Sequence, residues 1–252
     1  MVRPKEQFQL LRSLLRHFGL GGALLFLRFN LGSLNAFRVP GIAHKITLRR
    51  GTSDLIVFKE IFLNREYDVP FSTAPKVIID GGANIGLFAV LMKNRYPDSK
   101  VICIEPDPEN FRLLKENLSN YSDVHFENTG LWNVDTKLKV YDKFANGKWG
   151  MIVEEDMESG NIAAMSVTSL LKKYDIEEVD VFKCDIETSE KQVFARDYDD
   201  WLPRMKWIII ELHDRIEPGC AKAFFNAINK CFKGYKFEIS GENVVIENDN
   251  YR

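Results

Sequence analysis

The 252-residue chain has only four cysteines, Cys103, Cys184, Cys220 and Cys231, and no two of them form a C-x-x-C pair. That pattern offers no zinc site and no disulfide framework. With Cys103 and Cys184 in apolar strand contexts, it points to reduced, buried thiols in a cytosolic protein. Long apolar runs are missing too. The uncharged stretch from Phe18 to Leu27 has ten residues, against about 20 for a membrane-spanning helix. No small-residue cleavage site follows it, so neither a transmembrane helix nor a signal peptide is expected. There is no internal repeat, no low-complexity tract and no recognisable nucleic-acid module, which sets DNA and RNA aside as partners.

Acids are scarce at the start. Residues 1–50 hold nine Lys or Arg (Arg3, Lys5, Arg12, Arg16, Arg28, Arg38, Lys45, Arg49, Arg50) against the single acid Glu6, so 9 − 1 gives +8 and leaves −10 for the rest of a chain whose net charge is −2. The same segment places Phe8, Leu11, Leu14, Leu15 and Phe18 at helical spacing. Residues 1–45 therefore read as a basic helical segment, expected to pack on the domain, with peripheral contact to an anionic membrane left open. At 45% hydrophobic and 28% charged, the remaining 46–252 suffice for one large α/β domain but would be cramped as two. Oligomerisation is left open.

From residue 76 strand and helix patterns alternate: a strand to Asp80, a helix over 85–95 and a strand at 100–105. Asp107 and Pro108 then start a helix over Phe111, Leu114 and Leu118, and a short strand follows at 124–126. Residues 131–166 break this rhythm, with Gly147, Gly150, Gly160 and Glu154-Glu155-Asp156. They read as irregular strands and loops over an acceptor site. Rhythm returns at Val179–Cys184 and at the apolar Trp207–Ile210. A helix after Pro218 is stopped by Gly234, and a closing hairpin turns at Ser240-Gly241. This pattern predicts a mostly parallel, twisted sheet with helices on both faces and one antiparallel strand from the hairpin, a Rossmann-like architecture.

The first strand runs into Asp80-Gly81-Gly82-Ala83-Asn84-Ile85-Gly86. A dinucleotide turn would read G-x-G-x-x-G, its second glycine admitting a pyrophosphate. Here Asn84 stands at that place, so a cofactor without phosphates fits better. S-adenosylmethionine is such a cofactor: Asp80 and the turn residues Gly81, Gly82, Asn84 and Gly86 would receive its amino-acid end. Glu105, closing the next strand about 20 residues on, would receive the ribose hydroxyls, and Asp107 the adenine edge. An NAD-dependent Rossmann enzyme is the alternative, disfavoured by Asn84 and by Pro106. A non-catalytic module docking through its basic N-terminus is another.

Two later strands also end in charge, Lys183-Cys184-Asp185-Ile186-Glu187 and Glu211-Leu212-His213. Alternate residues of an extended chain share a side, so Lys183, Asp185 and Glu187 converge, as do Glu211 and His213. Buried charges are costly unless paired, which favours a catalytic cluster over packing alone; an ion pair of Lys183 with Asp185 or Glu187 is the plainer alternative. A weakly acidic hydroxyl needs a base, and His213 or Asp185 can serve. No metal is required, but Mg²⁺ on Asp185 and Glu211 is a second way to activate the hydroxyl. Of Trp132, Trp149, Trp201 and Trp207, Trp149 is the candidate for stacking on a sugar, and Trp207 belongs to the core.

Taken together, Ile79 to Gly86, Glu105 to Phe111, Lys183 to Glu187 and Glu211 to His213 resemble the FkbM-type S-adenosylmethionine-dependent methyltransferases. Arg50 to Asp54 with Glu66-Tyr67 is similar to the family's lead-in, so the resemblance spans about residues 45 to 215. It implies a class I methyltransferase fold and O-methylation of a hydroxyl on a sugar, a glycan or a glycosylated natural product. It also implies a small-molecule or glycan acceptor near Asp185, Glu187 and His213, with Ser53, Asp54 and Tyr67 closing the cofactor pocket. One departure stands out: Thr188-Ser189 follow Glu187 where the family has Gly and a small residue.

Overall fold

The computed structural model describes residues 4–142 and 151–251. Along the chain come helices α1 (Pro4–Phe18), α2 (Leu20–Leu31) and α3 (Asp54–Lys59), the last running into a π-helical turn, Glu60–Asn64. Then follow β1 (Val77–Gly81), α4 (Leu87–Arg95), β2 (Lys100–Ile104), α5 (Pro108–Leu118), β3 (Val124–Glu127), β4 (Gly130–Trp132), β5 (Thr136–Asp142), β6 (Met151–Glu155) and β7 (Ile162–Ser166). The chain ends with α6 (Val167–Lys173), β8 (Val179–Cys184), α7 (Glu190–Val193), β9 (Met205–Glu211), α8 (Cys220–Cys231), β10 (Tyr235–Ser240) and β11 (Asn243–Asn248).

Seven strands form the main sheet in the order β10-β11-β9-β8-β1-β2-β3. The pairs β1–β2, β2–β3, β1–β8 and β8–β9 are parallel, and β11 runs antiparallel to both β9 and β10. The hairpin therefore supplies the expected antiparallel strand, although that strand slots inside the edge strand β10. Side chains alternate between two cores. Ile78, Val101, Val181 and Ile209 face one, with α1, α2, α4 and α5, while Ile79, Ile102, Phe182 and Ile208 face the other, with α6, α7 and α8. A sheet covered on both faces explains why these strands read as unbroken apolar runs.

The strand order reverses at β1, which lies between β2 and β8. A crevice outside the carboxyl ends opens at such a point. The register levels those ends: Gly81 pairs with Ile104 and Cys184, and Cys184 with Ile210. Gly82, Glu105 and Asp185 are thus the first residues past the sheet on three adjacent strands, and Glu211 is the last residue of the neighbouring β9, paired with Asn243.

Between β3 and α6, where irregular structure is expected, the described residues build a second sheet, β4-β7-β5-β6, over a small core of Trp132, Leu138 and Ala164. Strands as short as the three-residue β4 carry little periodicity. Trp149 lies outside the described residues. Trp132, Trp201 and Trp207 are all buried, Trp207 edge-on to Phe71 and Trp201 packed against Phe182 and Phe194, so none of the three is a sugar platform. All four cysteines are free thiols.

Candidate active site

The glycine turn is shaped by packing. Gly82 has φ +71°, and a Cβ there would lie 1.7 Å from the carbonyl oxygen of Asp185; at Gly86, φ +84°, it would lie 2.6 Å from Leu114 on α5. Gly82 thus lets the turn press against the end of β8, and Gly86 lets α4 start against α5. The turn's amides are engaged inside the protein. Those of Gly82 and Ala83 donate to the carbonyl of Ile104, that of Gly86 to the carbonyl of Ala83, and that of Asn84 to Glu105 Oε2 at 2.8 Å. Gly82, Asn84 and Gly86 therefore shape the pocket rather than offer the N–H donors expected of them.

Glu105 is 6% exposed and sits where a ribose acceptor is expected. Besides the Asn84 amide, it accepts the Asp107 amide at 2.9 Å and the Asn110 side chain at 3.4 Å. Burial pushes its carboxyl up to about 6 against the pull of those donors. Asp107 is the N-cap of α5, accepting the amides of Glu109 and Asn110. Asp54 is fully buried and gripped by Arg49, whose Nη2 lies 2.8 Å from Oδ1 and also donates to Asn110 Oδ1 at 2.7 Å. Asp54 is therefore a support: it fixes Arg49, which fixes Asn110 beside Glu105. Ser53 precedes α3 without capping it through its side chain. Tyr67 is buried, its ring 5.0 Å from that of Phe88. Burial and the charges of Asp185, Asp80 and Glu211 raise its hydroxyl pKa despite Lys183.

Lys183 is expected among the catalytic groups, yet it is enclosed. Its ammonium lies 3.3 Å from Asp80 Oδ1 and 3.6 Å from Asp185 Oδ2, and donates to the carbonyls of Gly81 (3.2 Å) and Gly82 (2.7 Å). Burial opposes its charge, but Asp80 and Asp185 outweigh that and hold it protonated. It ties the turn after β1 to the end of β8, a positioning role. Asp80 is completely buried, and burial raises its carboxyl against the pull of Lys183 on Oδ1, while Oδ2 has no hydrogen-bond donor.

Around His213 the chain gathers four carboxylates. Nδ1 meets Glu190 Oε1 at 3.0 Å, while Nε2 lies 3.4 Å from Glu211 Oε1, 3.8 Å from Glu187 Oε2 and 3.9 Å from Asp185 Oδ1. An ionised carboxylate only accepts, so the ring proton on Nδ1 points at Glu190. Burial alone would lower the imidazole; the hydrogen bond and charge of Glu190, then Asp185 and Glu187, raise it to about 9. In that state His213 is an imidazolium at neutral pH, suited to donating a proton, and of the two groups expected to serve as base Asp185 is the one left as an acceptor. Glu211 is pushed up to about 8 by burial and by Asp185. Burial, then Asp185, also raises Glu187.

Glu187 and Thr188 both have positive φ, 51° and 77°. Two successive side-chain-bearing residues in the left-handed region are strained, and they stand where Thr188 departs from the family pattern. Sequence reasoning missed Glu190, which is 0% exposed, and the Arg49–Asn110 contact. The three-residue step from Glu187 to Glu190 is the only hint of the former. A cavity of about 570 Å³ lined by Asn133, Asp135, Ser166 and Asp199 contains none of these residues.

The Methyltransferase FkbM domain family matches residues 80–239, well over half of the chain. Methyltransferase 1 of Beauveria bassiana is 38% identical over 84 residues, 32% of this chain and 34% of that protein. Methyltransferase sdnD of Sordaria araneosa is 41% identical over 63 residues, 25% of this chain and 24% of that protein. These alignments span about a third or less of the relatives' own length. The crystal structure of a methyltransferase FkbM from Methylobacillus flagellatus aligns with TM-score 0.50 and 13% identity over 96% of this chain and 59% of that one, a likeness of fold alone. On the extent of the domain match, this chain belongs to the FkbM methyltransferase family.

Proposed function

We propose that the protein transfers a methyl group from S-adenosylmethionine to a hydroxyl of a sugar, a glycan or a glycosylated small molecule. The observation that carries this reading is the pairing of two features on adjacent strand ends: the buried acid Glu105 beside the glycine turn, and the Asp185–Glu187–Glu211–His213 cluster. The residues fit a cationic cofactor. Asp80 is balanced by Lys183 on Oδ1 but has no donor on Oδ2, and the side-chain oxygen of Asn84 is buried without one, an environment that favours positive charge nearby. Asp80, enclosed as it is, acts through its field, and Glu105, whose Oε1 already accepts twice and Oε2 once, keeps a lone pair on Oε2 for a ribose hydroxyl. Bound there, S-adenosylmethionine supplies an electrophilic methyl group.

Asp185 is the acceptor's base, its side chain 28% exposed at the mouth. The His213 imidazolium, held by Glu190, stabilises the oxyanion as the proton leaves, and the more exposed Glu187 orients neighbouring hydroxyls. Lys183 holds Asp185 in place. The decisive experiment follows labelled methyl into oligosaccharide and glycolipid fractions. Wild type should label a fraction and Asp185→Asn should lose at least about a hundredfold in rate. Equal labelling by both would remove Asp185, and no labelling alongside tight cofactor binding would favour a non-catalytic module.

One observation favours a second way of activating the hydroxyl. Asp185, Glu211 and His213 each offer one ligand atom, all within 4.8 Å of one another. The carboxylates suit Mg²⁺, and a metal that displaced the Nε2 proton of His213 would gain an imidazole oriented by Glu190, a ligand that also suits Mn²⁺ or Zn²⁺. Calorimetric titration with Mn²⁺ should then show one site lost in Glu211→Gln; no heat from wild type leaves Asp185 acting alone.

A further inference from the structure

Helix α2 is apolar on two opposite sides. Gly22, Leu25 and Phe29 face the core, whereas Leu20, Leu24, Leu27 and Leu31 are 87%, 69%, 53% and 83% exposed at spacings of four, three and four. A helix apolar all round belongs in a buried place, so the outer stripe needs a cover. On α1, Phe8 and Leu15 are likewise exposed, interleaved with the exposed Arg12 and Arg16. Beside the leucine stripe runs a groove of about 850 Å³, bounded by Leu24, Leu27 and Leu31 on one side and Arg38, Pro40 and Ile42 on the other; Arg28 and Arg38 contribute its charge and no acid lines it.

We infer that this face docks on the surface of an anionic lipid bilayer, the leucines entering the acyl boundary and the arginines meeting the headgroups. Charge selects this occupant: Arg28 and Arg38 line the groove with no acid among its lining residues, Arg12 and Arg16 are exposed on α1, and basic residues flanking an apolar helix face are what anionic lipid attracts. Length sets the mode. Twelve residues of α2 span roughly 18 Å, well short of a hydrocarbon core of about 30 Å, so the helix lies along the surface. No helix among the described residues is long and apolar enough to cross a membrane.

The docking face is preformed. A Cβ on Gly22 would lie 2.0 Å from the Leu14 carbonyl oxygen, so the glycine lets α1 and α2 close into a tight hairpin. Arg50 then fastens the end of α2, donating to the carbonyls of Phe29 (2.9 Å), Arg28 (3.2 Å) and Gly32, while the preceding Arg49 reaches Asp54 and Asn110 beside Glu105. The lipid-facing hairpin is thereby tied to the wall of the cofactor cleft, which would hold that cleft close to the bilayer surface.

Sedimentation with vesicles tests this on the full chain, using pure phosphatidylcholine and a mixture with about a third phosphatidylglycerol. The chain should pellet with the anionic vesicles and bind neutral ones roughly thirtyfold more weakly, as expected for two arginines at the surface. The exposed double variant Leu24→Ser/Leu27→Ser and, separately, Arg38→Glu should each lose most of that binding while retaining the wild-type circular dichroism spectrum. Binding of S-adenosylmethionine, measured by calorimetry, should be unchanged in both, which keeps this inference separate from the catalytic reading. Failure of the wild type to pellet, or pelleting unaffected by the variants, overturns it. A stable dimer that the leucine variants dissociate would also overturn it, by making a second copy the cover.

Discussion

Glu105 sets two demands against each other. Its folded pKa, about 6, stands above the ordinary 4.5 because burial penalises the charge more than the amides of Asp107 and Asn84 favour it. Its contribution to stability is therefore fully present below about 4.5 and lost as pH rises through about 6. Gripping a ribose hydroxyl needs the opposite state, the ionised acceptor. Affinity for S-adenosylmethionine should accordingly fall as pH drops, by up to about tenfold one unit below pKa 6. Calorimetry at pH 5 and 7.5 reads this directly, and Glu105→Gln should bind weakly at both. Identical wild-type affinity at the two values would take Glu105 out of the ribose site. Glu190 makes a different kind of contribution, accepting the Ile186 amide at 2.9 Å while pairing with His213 in full burial. Removing one partner of a buried pair leaves the other uncompensated. Glu190→Ala should cost about 3 kcal/mol in urea unfolding and Glu190→Gln clearly less, since the amide oxygen still accepts from Ile186. Equal losses would mean that the charge on Glu190 is irrelevant.

The elements that build the site are bound by close backbone approach, and Gly82 is where this is tightest. Alanine there meets both a φ of +71° and a backbone oxygen 1.7 Å away, whereas at Gly86 the nearest atom is a movable leucine methyl. Gly82→Ala should thus lose more than about 3 kcal/mol and with it cofactor binding, and Gly86→Ala should be the milder of the two. Thermal unfolding with and without S-adenosylmethionine separates them; a Gly82→Ala protein as stable as wild type would show that the turn has room to open. The strand ends themselves were legible because a sheet covered on both faces writes apolar runs, each followed by an acid at or just past the strand's end: Asp80, Glu105, Asp185 and Glu211. The Asp107 cap and the closing hairpin were legible for similarly local reasons. What was hidden depends on distance in sequence. The second sheet pairs strands of three to seven residues across long connections, leaving no period to read. Glu190 looks like any solvated helix acid until His213 arrives from the next strand. Arg49 counts as one more base in a basic segment until the fold brings Asn110 to it, and nothing local marks Lys183 as enclosed.

At the scale of the whole molecule, charge is sorted: a basic N-terminal hairpin on one part of the domain, and acids crowded at the carboxyl end of the sheet. The crowd reaches beyond the catalytic cluster. The π-helical turn after α3 brings Glu60 toward Glu66 and Asp185, and the β10–β11 turn adds Glu242, with Gly241 close enough that a Cβ would meet the Glu66 carboxylate at 2.5 Å. Burial, then Glu66, Asp185 and Glu242, raises Glu60 to about 7. A carboxyl whose folded pKa exceeds its ordinary 4.5 stabilises the fold most below that lower value, and the benefit disappears as pH rises through about 7. The protein should therefore melt at a lower temperature at pH 8.5 than at pH 5.5. Glu60→Gln, neutral throughout, should be more stable than wild type at pH 8.5 and no more stable at pH 5.5, since it removes a charge that three neighbouring acids repel. Scanning calorimetry of both proteins across that range decides the matter. Parallel pH profiles would mean that Glu60 ionises without cost, and that the acids from three separate parts of the chain do not act on one another.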